Sequence, residues 1–297
     1  MTPATGPRHF DHREFSAEVL AKAKKASTVS VCLPAHDEAR TIGCIVETIR
    51  ADLVDKVQLV DEVLVADDRS TDATAAVAAS AGATVVTVAT PPRSGPGKGA
   101  AMATALAESR GDLVVFLDAD IEDFSSDFVV GLLGPLIGDR SIGFVKGAYR
   151  RPLAGMPGEG GRVTELTAKP LLTMLHPHLV CFAQPLAGEI AARRAVLEGL
   201  AMPSDYGVDV ALLIDAARRI GRDAMAEVDL GERRHRNRVL SELVPQAHSV
   251  ARAIMERARI SISSPGTGNT APMVVRYPTT AVDRRVGVPP TDGQKLG

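Results

Sequence analysis

The sequence predicts an α/β fold around a mostly parallel sheet, because short apolar segments alternate with segments of helical periodicity up to about residue 120. A second observation is that polar and acidic residues follow three of the predicted strands. In open α/β sheets, ligands bind beyond the carboxyl ends of the strands. The sequence therefore predicts a ligand site assembled from three separate loops.

Four strands and three helices are predicted in this first part of the chain. In order they are strand 28–35, helix 37–53, strand 61–68, helix 70–82, strand 83–90, helix 97–111 and strand 112–120. After residue 150 the pattern loosens into a Gly/Pro-rich loop that runs into a helix, then a helix at 204–221, a strand and basic loop at 226–240, and a helix at 243–260.

Composition excludes several classes of protein. A formal net charge of -2 and a pI near 6.4 argue against a general nucleic-acid binder. The three cysteines, Cys32, Cys44 and Cys181, are too few for a disulfide framework and fit a reduced cytoplasm. Without a signal peptide or an apolar stretch of roughly 20 residues, the chain is expected to be soluble and not to associate with membranes.

The segment VVFLDADIED, residues 114–123, ends an apolar strand with two aspartates, Asp118 and Asp120. Side chains at i and i+2 of an extended segment point the same way, so both carboxylates are expected to converge on one cation. Carboxylates are hard oxygen ligands suited to Mg²⁺ or Mn²⁺. Such ions are usually coordinated by substrate phosphates as well as by the protein. The alternative is that the two acids only solvate the end of a strand.

Two basic segments are candidates for binding an anion or a metal. The loop PPRSGPGKGAA (91–101) is not a Walker A loop, yet it places Lys98 between two glycines at a helix start, where free N–H groups favour a phosphate. In RRHRNR (233–238), His235 lies among four arginines, which disfavour its protonation and leave a neutral imidazole available as a ligand. A flexible connection and a solvated basic turn are the respective alternatives.

Taken together and in order, eight motifs resemble the glucosyl-3-phosphoglycerate synthase family of retaining glycosyltransferases, which have the GT-A fold. The motifs are LPAHDEARTIG, DDRSTDAT, GPGKG, LDAD, YRRPL, GGRVTEL, QPLAGE and RRHRNR, and the resemblance covers about residues 28–260. It implies transfer of glucose from UDP-glucose to 3-phosphoglycerate with a divalent cation.

The resemblance also implies a role for each of several site residues. Pro34, Ala35, Glu38 and a residue of the DDRS loop, taken as Asp68, would hold the uridine, while Lys98 and Asp118 would contact the donor. Asp120 and His235 would ligate Mg²⁺ or Mn²⁺, and Gly161, Arg162, Val163 and Thr164 would bind the acceptor. Asp209 stands where the family carries glutamate, and its carboxylate would hold sugar hydroxyls with a shorter side chain.

The chain is expected to have four parts, of which the first and the last lie outside the resemblance, and the resemblance suggests a homodimer. Residues 1–27 are expected to be a helical extension, 28–150 the nucleotide-sugar-binding part, 151–260 the acceptor-binding and metal-completing part of the same domain, and 261–297 a flexible tail. The catalytic residues would be Lys98, Asp120, Asp209 and His235. Retention could proceed through a covalent glycosyl-enzyme or by front-face attack, and the second is favoured because no residue stands out as a nucleophile.

Other functions remain open from the sequence. A polyprenyl-phosphate sugar transferase shares the N-terminal signals, but GGRVTEL favours a small anionic acceptor. A non-catalytic nucleotide-sugar-binding protein would be expected to lose Asp120 or His235. The donor could also be another nucleotide sugar, such as ADP-glucose, GDP-glucose or GDP-mannose.

Overall fold

The computed structural model describes residues 6–89, 97–150, 161–233 and 240–260, together with the backbone at 274–275. The strands in these ranges are β1 Arg8–Asp11, β2 Val29–Ala35, β3 Glu62–Asp67, β4 Thr84–Thr87, β5 Leu113–Phe116, β6 Phe144–Arg150, β7 Ile190–Arg193, β8 Met202–Pro203, β9 Met225–Glu232 and β10 Val274–Val275. The helices are α1 Ala17–Ala23, α2 Ile42–Ile49, α3 Thr74–Ser80, α4 Lys98–Glu108, α5 Asp127–Gly138, α6 Lys169–Leu175, α7 Arg194–Leu197, α8 Val208–Ile220 and α9 Leu240–Arg257.

The main sheet has eight strands in the order β1-β9-β6-β7-β5-β2-β3-β4. Every neighbouring pair is parallel except those of β7, which runs antiparallel to both β5 and β6. The chain passes from β2 outward through β3 to β4 and then returns to β5 on the other side of β2. This reversal is a topological switch point, where α/β proteins bind ligands at the carboxyl ends of the strands.

Apolar side chains cover both faces of the sheet. Along β2, Val31 and Leu33 belong to a core with α1, α2, α3 and α5, whereas Cys32 faces a second core formed with α4, α6, α7, α8 and α9. The alternation follows from the two-residue period of a strand. Burial on both faces explains the apolar composition of the central strands, and the result confirms the predicted α/β fold with a helical C-terminal part.

The N-terminal segment differs from the predicted helical extension. It contains α1, but Arg8–Asp11 form β1, which pairs in parallel with Ala226–Asp229 of β9 and extends the main sheet. The four residues RHFD are too short and polar to signal a strand, and the pairing depends on a partner far along the chain. The predicted tail, 261–297, lies outside the described residues apart from Val274–Val275, which pair with β8.

Within the part of the chain that the structure describes, no helix is both long enough and apolar enough to cross a membrane.

Candidate active site

Three neighbouring parallel strands end at the same edge of the sheet and bring the predicted donor-binding residues there. Pro34 and Ala35 end β2, Asp68 follows the last residue of β3, and Asp118 and Asp120 follow β5. The sheet order thus places these three loops side by side.

The loops after β2 and β3 are fastened to each other by hydrogen bonds. The Asp37 carboxylate accepts the Thr71 N–H at 2.7 Å, and this bond lowers the pKa of Asp37. The backbone N–H of Asp37 donates to Ser70 Oγ at 3.0 Å, and that of Glu38 donates to Thr74 Oγ1 at 2.8 Å. The wall that carries Pro34, Ala35 and Glu38 is therefore held by the start of α3.

The two aspartates after β5 converge on one cation, although not for the reason that the sequence suggested. β5 ends at Phe116, so Asp118 and Asp120 lie in the turn beyond it and not in an extended strand. Arg233 nonetheless donates from Nη1 to Asp118 Oδ2 at 3.1 Å and from Nη2 to Asp120 Oδ1 at 2.8 Å. The shared cation among the described residues is thus a guanidinium.

Arg233 is held in place from behind. Its side chain is only 1% exposed, and it forms an ion pair with the fully buried Glu189, which immediately precedes β7. The guanidinium also donates to the hydroxyl of Tyr149 at 3.0 Å and lies over that ring, 5.1 Å from its centroid. Burial opposes the charge, but Glu189 and the other anions outweigh it and raise the pKa of Arg233 well above its ordinary value.

Lys98, the first residue of α4, links two further carboxylates. Its ammonium lies 2.7 Å from Asp118 Oδ1 and 2.8 Å from Asp209 Oδ2, the latter in the first turn of α8. Burial alone would lower the pKa of Lys98, but Asp118 and Asp209 raise it above its ordinary value. Lys98 is therefore a fixed positive charge at the helix start.

Two glycines near Lys98 leave no room for a Cβ. A Cβ on Gly188 would overlap Asp118 Oδ1 and Lys98 Nζ, so the turn before β7 forms a floor under the ion pair. A Cβ on Gly99 would overlap the carbonyl oxygen of Pro203, so this glycine is explained by the packing of α4 on β8. The rest of the glycine-rich loop, residues 90–96, lies outside the described residues.

Two buried acceptor atoms at this edge have no hydrogen-bond partner among the described residues, namely Asp67 Oδ1 and Asp209 Oδ1. A buried acceptor without a partner is costly, and such atoms in a cleft mark places where a ligand donor can bind. Asp68, in contrast, has its carboxylate 3.3 Å from Arg69 Nη2. Asp67 therefore joins Asp68 as a candidate for the nucleoside.

The predicted metal pair is described only in part, because His235 lies outside the described residues. Within those residues, no group of three or more histidines, cysteines and carboxylates is placed to hold a metal ion. The donor chemistry still fits a hard cation, since Asp120 is a carboxylate with a 24% exposed side chain. It belongs to a charge cluster formed by Lys98, Asp118, Asp120, Glu189, Asp209 and Arg233. In the sequence, His235 follows Arg233, which contacts Asp120, by two positions.

The predicted acceptor-binding residues lie in another segment. Gly161 has a φ of 81°, in the left-handed region that favours glycine, and it precedes a helical segment that continues through Thr164–Ala168 into α6. Thr164 is buried, whereas Arg162 and Val163 are half-buried. This segment packs against α9 and so belongs to the helical layer.

The sequence analysis assigned no role to three charged residues in or beside the charge cluster: Arg233, Glu189 and Lys146. Arg233 opens the RRHRNR motif, in which only the histidine had a stated role, and Glu189 ends QPLAGE. The one sequence feature that could have pointed to Lys146 is its charge inside the apolar segment IGFVKGAY. A charged residue in an otherwise buried strand is seldom tolerated without a partner or a function.

A switch-point site with paired carboxylates and fixed cations is suited to a nucleoside diphosphate with a divalent ion. Comparison with known proteins gives the same class of ligand. Residues 30–151 match the family model described as "Glycosyl transferase family 2". The fold and the site define the chain as a glycosyltransferase of the GT-A fold.

The relatives narrow this class to one family. The chain is 44% identical to glucosyl-3-phosphoglycerate synthase of Mycolicibacterium smegmatis over 256 residues, covering 83% of each protein. The crystal structure of the Mycobacterium tuberculosis glucosyl-3-phosphoglycerate synthase with Mn²⁺, UDP-glucose and phosphoglyceric acid matches with a TM-score of 0.79 and 41% identity, covering 86% of this chain and 89% of that one. Mannosyl-3-phosphoglycerate synthase from Rubrobacter xylanophilus matches with a TM-score of 0.81 and 41% identity, covering 88% and 85%. The chain belongs to the glucosyl-3-phosphoglycerate synthase family.

Proposed function

We propose that this chain transfers glucose from UDP-glucose to 3-phosphoglycerate with retention of the anomeric configuration, giving glucosyl-3-phosphoglycerate. The observation that carries this proposal is the buried cluster in which Lys98 and Arg233 hold Asp118 between them at the switch point of the sheet. Membership of the family supplies the substrates, since its relatives are glucosyl-3-phosphoglycerate synthases.

The donor is assigned to the ends of β2, β3 and β5. Pro34, Ala35 and Glu38 would form the wall against the base, and the acids that follow β3, Asp67 and Asp68, would accept from the nucleoside. The unpartnered Asp67 Oδ1 supports this assignment. Asp118 and Asp209, both held by Lys98, would bind hydroxyl groups of the ribose or the sugar.

Departure of UDP builds negative charge on its diphosphate. Lys98 and Arg233 are already desolvated and fixed by carboxylates, so they would stabilise that charge with little rearrangement. We assign Asp120 and His235 as ligands of Mg²⁺ or Mn²⁺. A bound divalent ion would neutralise part of the diphosphate charge.

The acceptor is assigned to the 151–260 part of the chain. The Arg162 guanidinium and the backbone of Gly161, Val163 and Thr164 suit a small polyanion, because an arginine fork binds carboxylate and phosphate oxygens in pairs. Asp118 and Asp209, the carboxylates nearest the proposed sugar site, are both engaged by Lys98 and so are poor nucleophiles. This supports front-face attack, in which the donor phosphate accepts the proton of the acceptor hydroxyl.

A donor-by-acceptor activity grid with the product identified by mass tests the proposal. The donors are UDP-, ADP- and GDP-glucose and GDP-mannose, and the acceptors are 3-phosphoglycerate, glycerate and a polyprenyl phosphate. We expect the highest kcat/KM for UDP-glucose with 3-phosphoglycerate. Turnover only with the polyprenyl phosphate, or none with any pair, would refute the proposal.

Mannosyl transfer to the same acceptor is a second candidate. The mannosyl-3-phosphoglycerate synthase matches with a TM-score of 0.81, against 0.79 and 0.80 for two structures of the glucosyl enzyme, at the same 41% identity. Asp209, in place of the glutamate of the family, lies where a shorter carboxylate would change contacts with the sugar. A higher kcat/KM for GDP-mannose in the grid would favour this candidate.

We also propose a cytoplasmic homodimer. All three cysteines are unpaired, which fits a reducing compartment. The large apolar side chains of Leu166, Met174 and Val244 are 76%, 68% and 61% exposed on mutually packed helical segments, which suits a subunit interface. Light scattering of the purified chain gives the oligomeric state directly.

A further inference from the structure

Lys146 places an ammonium group in the interior of the protein, in the middle of the main sheet. It lies on β6, opposite Ile190 of β7 and Glu227 of β9, and it has no exposed surface. Burying a charge costs several kcal/mol unless other groups compensate for the lost water. Nothing in the donor or acceptor assignments uses this residue.

The ammonium group of Lys146 binds two backbone segments that are remote from each other in sequence. Lys146 Nζ donates to the carbonyl oxygen of Ala187 at 2.8 Å and to that of Asp209 at 3.3 Å. Ala187 precedes Gly188, the floor under Lys98 and Asp118, and Glu189, the partner of Arg233. One cation therefore connects the turn that carries Gly188 and Glu189 to the start of α8, which carries Asp209.

Stability of the local elements does not explain this placement. Asp209 is in the first turn of α8, where the positive end of the helix dipole disfavours a nearby cation. Both hydrogen bonds go to carbonyl oxygens, which would be satisfied equally well by neutral donors. The charged neighbours do not explain it either: burial and Lys98 lower the pKa of Lys146, Asp209, Glu189 and Asp118 raise it, and the net shift is downward. A cation kept here at a net electrostatic cost points to a role in holding the carbonyl oxygens of Ala187 and Asp209 in place.

We propose that Lys146 is a positioning residue for glycosyl transfer. It fixes the 187–189 turn and the start of α8, so that Asp209 and Lys98 are correctly placed to contact the donor sugar. The proposal rests on the proposed function. Lys146 itself touches no substrate and acts through Asp209, Gly188 and Glu189. Its loss should impair turnover more than nucleotide binding, because the nucleoside wall is built by other loops.

The test compares K146M with the matched control K24M. Lys24 is also largely buried, with a 9% exposed side chain, and it pairs with Asp61 at 2.6 Å, next to the start of β2 and away from the site. Rates are normalised to the number of sites that bind UDP with Mn²⁺ in a calorimetric titration. This normalisation removes any effect of a smaller folded fraction.

We expect K146M to lower kcat by about ten- to a hundredfold, the scale of a misplacement of about 1 Å, with KM for 3-phosphoglycerate changed less than about threefold. K24M should keep the wild-type kcat. Equal kcat per site in K146M and the wild type would overturn the proposal. If K146M does not fold, K146Q is held to the same criteria, and failure of both to fold would make Lys146 a purely structural residue and overturn the proposal.

The wild type separates this proposal from the proposed function. Absence of wild-type turnover with UDP-glucose and 3-phosphoglycerate refutes the function, and Lys146 is then judged by affinity alone: K146M must lose the difference in affinity between UDP-glucose and UDP that the wild type has. Failure of the wild type to bind UDP, or an unchanged difference in K146M, overturns the Lys146 proposal as well.

Discussion

At the scale of single residues, the site depends on two cations that are each shared by several carboxylates. Arg233 contacts Asp118, Asp120 and Glu189, and Lys98 contacts Asp118 and Asp209. Asp118 is thus held by both cations, while Asp120 has one charged protein contact among the described residues, which is Arg233. The two aspartates of the LDAD motif are expected to do different work.

The first prediction separates these roles by calorimetric titration of UDP with and without Mn²⁺. D118N should keep Mn²⁺-dependent binding within about tenfold, or about 1.4 kcal/mol, because an amide oxygen still accepts from a hydroxyl or from Lys98. D120N should lose the metal dependence, because it removes the charge of a proposed ligand. Equal metal dependence in the two variants would contradict the division.

The second prediction concerns pH and the buried Lys146. Burial lowers the pKa of Lys146 to about 8 from its ordinary value of 10.5. Between these values the unfolded chain binds a proton that the folded chain does not, so this residue makes the free energy of unfolding rise with pH. The rise is at most about 1.4 kcal/mol per pH unit.

Urea unfolding of the wild type and K146M at pH 8 and pH 10 measures this contribution. The wild-type free energy of unfolding should increase relative to that of K146M as the pH rises. A constant or decreasing difference would show that Lys146 keeps an ordinary or raised pKa in the folded protein.

At the scale of elements, the turn between residue 187 and β7 connects the charge cluster to the sheet. β7 runs antiparallel between β5 and β6, and its first end delivers Gly188 beneath Lys98 and Asp118 and Glu189 behind Arg233. The smallness of residue 188 is therefore a requirement of the site.

The third prediction is that G188A weakens Mn²⁺–UDP binding by about tenfold, about 1.4 kcal/mol, because the added methyl group displaces Asp118 and Lys98 and overpacking usually costs about 1–3 kcal/mol. G138A is the control, since Gly138 ends α5 with no atom near the added Cβ. Calorimetry of both variants decides the matter. Unchanged affinity in G188A would mean that the turn yields without disturbing the ion pair.

The elements differ in how far the sequence reveals them. The predicted strands and helices between residues 28 and 120 correspond to β2, α2, β3, α3, β4, α4 and β5 with shifted ends, because apolar periodicity reports burial. Apolar periodicity does not reveal β1 and β7. Each has four residues and owes its conformation to a partner remote in sequence, β9 for one and β5 with β6 for the other.

At the scale of the whole molecule, the cleft is built by joining an N-terminal parallel half to later elements. The strand ends that carry Pro34, Asp68 and Asp118 could be placed from the sequence, because parallel strands end at one edge. Arg233, Glu189 and Lys146 could not, because their roles appear only when β6, β7 and β9 complete the sheet beside β5. The family resemblance supplied the substrates, which no physical pattern in the residues would specify.

The proposed function implies one product, and the nuclear magnetic resonance spectrum of that product is the most direct test. Wild-type protein is incubated with UDP-glucose, 3-phosphoglycerate and diamagnetic Mg²⁺, and the anomeric proton of the product is examined, with a parallel sample in EDTA. We expect glucosyl-3-phosphoglycerate with the α linkage of the donor, formed only when the divalent ion is present. A β-linked product, full turnover in EDTA, or recovery of unreacted 3-phosphoglycerate would contradict the proposed function.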